Sequence, residues 1–251
     1  MSDSGNLDYA QARLQARHGA RITAADWARL DASRDLQHLL ATATATSLSR
    51  WTHGLHPEMG PHALEQSLRS EWRAYVAEIA SWLPARWQPA ATWISVLADL
   101  EYVARLAVPQ PTPPWMFADP VFGPLAPGSP AERATALMRT EYAPLASVIV
   151  ESKGVREAWC DHWRRLMPTM DSETADQLEA LASVLRTWSS SSAPLEANLD
   201  QLRIALARVF RRSSGSGVSA FAHLASTALD VLALRGRIVE RAIFGAARRA
   251  A

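Results

Sequence analysis

The chain of 251 residues has one cysteine, Cys160, so no intrachain disulfide can form and its cysteine usage does not point to an oxidising compartment. Lysine is nearly absent too. Lys153 is the only one, and the rest of the positive charge is arginine, which fits a GC-rich coding bias and also supplies fork-shaped partners for carboxylates. Net charge is lacking: 26 basic residues against 25 acidic ones leave +1. No global field therefore draws in nucleic acid or anionic lipid, and any electrostatic partnership must be local. The N-terminus Met1-Ser2-Asp3-Ser4-Gly5-Asn6 has neither the basic start nor the apolar run of a signal peptide. No stretch reads as the ~20 apolar residues that span a bilayer. A cytoplasmic protein without a membrane span is the expectation. Gly-x-x-x-x-Gly-Lys, Gly-x-Gly-x-x-Gly and Gly-x-Ser-x-Gly motifs are all missing, which removes the usual nucleotide, dinucleotide and hydrolase signatures, and no cofactor is expected.

What is present is helical pattern. Hydrophobic residues make up 48% and charged residues 20%, an ordinary globular balance. Leu64, Leu68, Trp72, Tyr75, Ile79 and Leu83 form a stripe down one face of a long helix. Trp93, Val96, Leu97, Leu100, Val103 and Ala107 repeat the pattern, as do Leu195, Leu199, Leu202, Leu206 and Val209. In the last segment Val218, Phe221, Leu224, Ala225, Ala228, Leu232, Ile238, Val239 and Ile243 can bury one side. Thr23 with Asp26, and Ser129-Pro130-Ala131-Glu132, have the form of capping boxes, and Asp171-Ser172-Glu173 favours a third helix start. No segment reads as a strand. The expected fold is all-α, a multi-helical bundle of successive helical hairpins in a single domain over 1–251. Prolines 109, 111, 113, 114, 120, 124 and 127 interrupt it at about 108–129. Interleaved Trp115, Met116, Phe117, Val121 and Phe122 suit a connector packed on the body better than a free docking peptide.

Three candidate sites are weak. His53, His56 and His62 share a Gly- and Pro-containing loop, but they lack a credible fourth ligand at any zinc spacing, so solvated histidines are expected. Cys160 and His162 stand two apart on a helix and so point in different directions. The run Ser213-Ser214-Gly215-Ser216-Gly217 beside Arg211 and Arg212 could imitate a phosphate loop, although an interhelix turn uses the same residues.

The most informative residues lie towards the ends. Tyr9-Ala10-Gln11-Ala12-Arg13 leads into Arg21-Ile22-Thr23-Ala24-Ala25-Asp26-Trp27-Ala28-Arg29-Leu30, then Leu36, Leu39 and Leu40. Asp99-Leu100-Glu101-Tyr102-Val103-Ala104-Arg105 follows, and Asp230-Val231-Leu232-Ala233-Leu234-Arg235-Gly236-Arg237-Ile238 closes the series. In order and spacing these segments resemble the C (or d) subunit of V/A-type rotary ATPases. Tyr102 and Ala233 stand where that family has asparagine, and Ala228 where an upstream glutamate is usual. The match covers roughly 7–106 and 218–245.

The resemblance implies a funnel-shaped helical subunit with pseudo-repeats, peripheral on the inner face of the cytoplasmic membrane. Such a subunit is non-catalytic. It couples the central stalk to the membrane rotor ring of a proton- or sodium-translocating ATPase. Arg235, Arg237 and Arg241, with Arg248 and Arg249 beyond them, then become candidate partner-binding residues, because this end carries a local positive charge that the whole chain lacks. The alternative is a helical adaptor or regulatory protein with no enzymatic activity. A metal-dependent enzyme built on His53, His56 and His62 is a third, weaker reading.

Overall fold

The computed structural model describes the backbone of residues 3–108, 111–151, 154–190 and 195–250, and the side chains of 7–108, 111–149, 154–186 and 199–243. Lys153 and the side chains of Leu195, Arg248 and Arg249 lie outside the described residues. The chain begins with α1 (Asp3–Gly19), α2 (Ala24–Asp31), α3 (Leu36–Thr44), α4 (Ser49–Thr52) and α5 (Pro61–Trp82). Next, α6 (Gln88–Trp93) runs into a 3-10 turn, Ile94–Asp99, and then come α7 (Leu100–Ala107), α8 (Pro114–Phe117), α9 (Pro130–Leu137), α10 (Ala146–Glu151) and α11 (Val155–Arg165). Three longer helices follow: α12 (Ser172–Ser190), α13 (Leu195–Arg212) and α14 (Val218–Ala250). Helices take well over half of the described residues and no strand occurs among them, so the fold is the expected all-α bundle.

Where the pattern suggested one body over 1–251, the contacts divide the chain into two compact units, Met1–Ala91 with Pro168–Ala251, and Thr92–Met167. In the first unit, α14 packs against α13, α5, α1 and α3. Its partner α5 delivers the stripe as expected, with Leu64, Leu68, Trp72, Tyr75, Ile79 and the following Leu83 all buried. The box of Thr23 and Asp26 caps α2 in both directions. Asp171 receives the Thr174 N–H at 2.7 Å and so starts α12.

The stretch Val218–Ile243 of α14 is long and apolar enough to cross a membrane, contrary to expectation, but 72% of its most apolar window is buried inside the protein. Polar Ser219, His223, Ser226, Thr227 and Asp230 break up its apolar residues in the sequence and hide its length. All five of these are buried.

In the second unit, α7 packs against α9, α10 and α11. The Ser129 and Glu132 box caps α9 as expected. One continuous stripe from Trp93 to Ala107 does not form. The 3-10 turn has three residues per turn rather than 3.6, and the resulting phase shift leaves Leu97 39% exposed while Val96, Leu100 and Val103 stay buried. Trp93 and Trp159 clasp each other, each indole N–H donating to the other's carbonyl at 3.2 and 3.3 Å. The described part of the proline-rich stretch packs as a connector only in part: Phe117 is 51% exposed, and Trp115 and Val121 are half-buried. Met116, Phe122, Leu125 and Ala126 are buried, and Asp119 receives the N–H groups of Val121 and Phe122 at 2.9 and 3.0 Å.

Candidate functional site

The first unit joins the two ends of the chain through a row of arginine contacts. Arg21, just beyond α1, donates from Nε to Asp230 of α14 at 2.7 Å and from Nη2 to the Ser226 carbonyl at 3.1 Å. Arg203 of α13 stands 3.8 Å from the other oxygen of Asp230. Burial still pushes the Asp230 carboxyl above the usual range, against the pull of Arg21 and Arg203. About two turns further along α14, Arg237 grips Asp31 of α2 with two nitrogens, at 2.6 and 3.1 Å. Hydrogen bonding to Arg237 holds the Asp31 carboxyl below its usual range. Arg241 donates to the carbonyls of Ser33, Leu30 and Asp31 at 3.2 to 3.4 Å, at the C-terminal end of α2, where the Leu30 carbonyl also accepts the Ser33 N–H at 3.1 Å. Arg235 places Nε and Nη2 on Glu65 of α5.

The candidate partner-binding residues therefore have partners within the chain. Arg235, Arg237 and Arg241 are engaged with acids and carbonyls of their own chain, because α14 packs against α5 and its arginines reach the C-terminal end of α2. Leu232 and Ile243, expected on the buried side, point outward with 54% and 50% exposure.

Beneath the row lies a cluster of rings. His223 is fully buried, and its Nε2 meets the Tyr75 hydroxyl at 2.6 Å. His18 stacks on Phe210 with centroids 4.0 Å apart and lies 5.8 Å from His223. Nδ1 of each histidine is buried without a hydrogen-bond partner among the described residues. Burial, helped by Arg21 and Arg211, lowers the His18 pKa to about 4. Burial, helped by His18, Arg21 and Arg17, lowers that of His223 to about 3. Burial also raises the Tyr75 pKa, so a neutral phenol faces a neutral imidazole. A base this weak is a poor proton acceptor at neutral pH. Neither histidine is marked by the sequence: they are 205 positions apart, and the only local signal is a lone polar ring in the apolar run Val218–Leu224.

The weaker candidates resolve separately. His53 and His56 are exposed, and the His53 ring lies 2.8 Å from the Arg50 carbonyl. No group of three or more His, Cys, Asp or Glu side chains able to hold a metal gathers among the described residues. Cys160 is half-buried and its thiol pKa is raised by burial, while His162 packs edge-on against Trp93 at 4.5 Å. The serine and glycine run is a turn tied by hydrogen bonds to other elements. Gly215 has φ 84°, its N–H donates to Gln11 at 3.1 Å, and the Ser216 hydroxyl reaches Gln177 at 2.6 Å. A Cβ on Gly217 would lie 2.5 Å from two ring carbons of Trp87, so only glycine fits there.

Comparison with protein-family models, with curated proteins and with solved structures finds no match.

Proposed function

We propose that this chain is a non-catalytic coupling subunit resembling the C/d subunit of V/A-type rotary ATPases, linking the central stalk to the membrane rotor ring in ion transport. One observation carries the reading. The N-terminal and C-terminal segments that bear the resemblance are tied to one another by Arg21 to Asp230, 209 residues apart, and by Arg237 to Asp31, 206 apart. A part that transmits torque must resist shear between its segments, and forked arginine contacts fix orientation as well as distance. The neutral character of His18, Tyr75 and His223 supports a structural role for the cluster.

On this reading the protein sits on the inner face of the cytoplasmic membrane as a peripheral subunit, with the stalk and ring as partners. Deleting the gene should then leave ATP hydrolysis by the catalytic head but abolish ATP-driven ion pumping in inverted membrane vesicles. Unchanged pumping in the deletion strain would rule the role out.

A helical adaptor or regulatory protein is the second reading, favoured by Tyr102. It occupies a family asparagine position, yet it is buried, stacked 5.0 Å from Phe122 and edge-on to Trp115 at 5.4 Å, so it serves the proline-rich connector.

A further inference from the structure

The outward side of α14 carries Leu232, Gly236, Val239 and Ile243, spaced by four, three and four residues. This is the d-a-d-a spacing of a heptad seam, the pattern that buries one helix against another. Leu232 and Ile243 are 54% and 50% exposed, Val239 is half-buried, and Gly236 is exposed. A Cβ added at Gly236 would meet nothing within 4 Å, so the middle of the seam is open. Among the described residues of α14 the other large apolar side chains, Val239 apart, are buried, whereas Leu232 and Ile243 are exposed.

Charge selects the occupant. Arg235, just before Gly236, takes the g position on one flank, and Glu240, just after Val239, takes the e position on the other. When two such helices run parallel, the g residue of one meets the e residue five positions further along its neighbour. Arg235 of each copy then faces Glu240 of the other, making two symmetric ion pairs around a two-fold axis. In an antiparallel pair each flank meets its own kind, arginine against arginine and glutamate against glutamate.

Both groups are available. The Arg235 side chain is 45% exposed and binds Glu65 through Nε and Nη2, so Nη1 takes no part in that pair. The Glu240 side chain is 64% exposed, with Arg241 at 3.8 Å. We propose that this face of α14 is a self-association surface, taken by α14 of a second copy of the chain in parallel. The pairing is independent of the coupling reading. It also gives Arg235 a partner outside its own chain.

The seam spans only two heptads with glycine at one layer, so the dimer is concentration-dependent. Sedimentation equilibrium of the purified full chain should show a reversible monomer–dimer equilibrium. Leu232→Asp should abolish it with an unchanged circular dichroism spectrum, since Leu232 packs outward. Glu240→Arg should weaken it by opposing Arg235. Gly236→Leu, at a position where an added Cβ meets nothing within 4 Å, should tighten it by about tenfold or more by filling the open layer.

Orientation is read separately in a Cys160→Ser background. Val239→Cys should form a covalent dimer on mild oxidation, because each seam residue meets its own counterpart in a parallel pair. Monomer at every concentration, including with Gly236→Leu, would overturn the proposal, and so would a dimer indifferent to Leu232→Asp. A Val239→Cys protein that stays uncrosslinked, while a mixture of Leu232→Cys and Ile243→Cys crosslinks, would overturn the parallel arrangement.

Discussion

Acid should loosen this protein through two histidines before it protonates the carboxylates. His223 is fully buried with Nδ1 unpartnered, and its pKa is lowered to about 3 by burial and by nearby His18, Arg21 and Arg17. Its Nε2 faces Tyr75, which stays neutral across the acidic range. His18 is partly exposed and lowered to about 4. Both folded values lie below the ordinary histidine value of 6.5. The unfolded chain therefore takes up the proton first, and stability falls as pH drops below about 6.5. For His223 the slope is about 1.4 kcal/mol per pH unit, so roughly 2 kcal/mol is lost between pH 6.5 and 5.

His18 adds a smaller share, because solvent screens the part of it that is exposed. Asp26, Asp31, Glu132 and Asp171 have lowered values, so their contributions fade only as pH falls through the carboxylate range, below this window. Asp230 is raised and works with the opposite sign: its contribution is present at low pH and lost as pH rises through its folded value. It is common to the wild type and the histidine variants, so it cancels in their difference. Urea unfolding at pH 7, 6 and 5 should show the wild type losing about 2 kcal/mol more than His223→Gln over that range, whatever the offset between them at pH 7. Equal losses in the two proteins would refute the reasoning.

Arg21→Met should cost roughly 3–5 kcal/mol by leaving the buried Asp230 carboxylate without its closest partner, whereas Arg21→Met with Asp230→Leu should recover most of that loss in thermal unfolding. Gly217→Ala should lower stability by about 1–3 kcal/mol, because its methyl group would press on the Trp87 ring. Gly236→Ala, on an open helical face, should raise stability by about 0.5–1 kcal/mol in the same denaturation assay, measured at a concentration where the protein is monomeric. Arg237→Glu should lose up to about 1 kcal/mol in urea unfolding by facing Asp31, an effect that shrinks as salt is added.

The helical class, the α5 stripe and the capping boxes of α2 and α9 were legible because each depends on residues close in sequence. What depends on tertiary partners was not. A stripe count could not see the 3-10 turn that rotates Leu97 outward, nor that the body divides at Thr92–Met167. The row on α14 was legible as arginines but not as a clamp, since Glu65 and Asp31 lie 170 and 206 residues away. Leu232 and Ile243 were read as core because an apolar residue at helical spacing has the same pattern on either face of a long helix. The pairing of His18 with His223 was not foreseen at all: His18 looks like a basic residue ending α1, and only the fold brings it beside the buried His223.

The coupling role is tested most directly by what travels with the protein in membranes. The tagged chain should be purified from membranes solubilised so that the rotary ATPase stays intact, and its companions identified and counted by mass spectrometry. Central-stalk and ring subunits should be recovered in fixed proportion to the chain. Recovery of the chain without any rotary ATPase subunit, in preparations where the ATPase itself is shown to be whole, would contradict it.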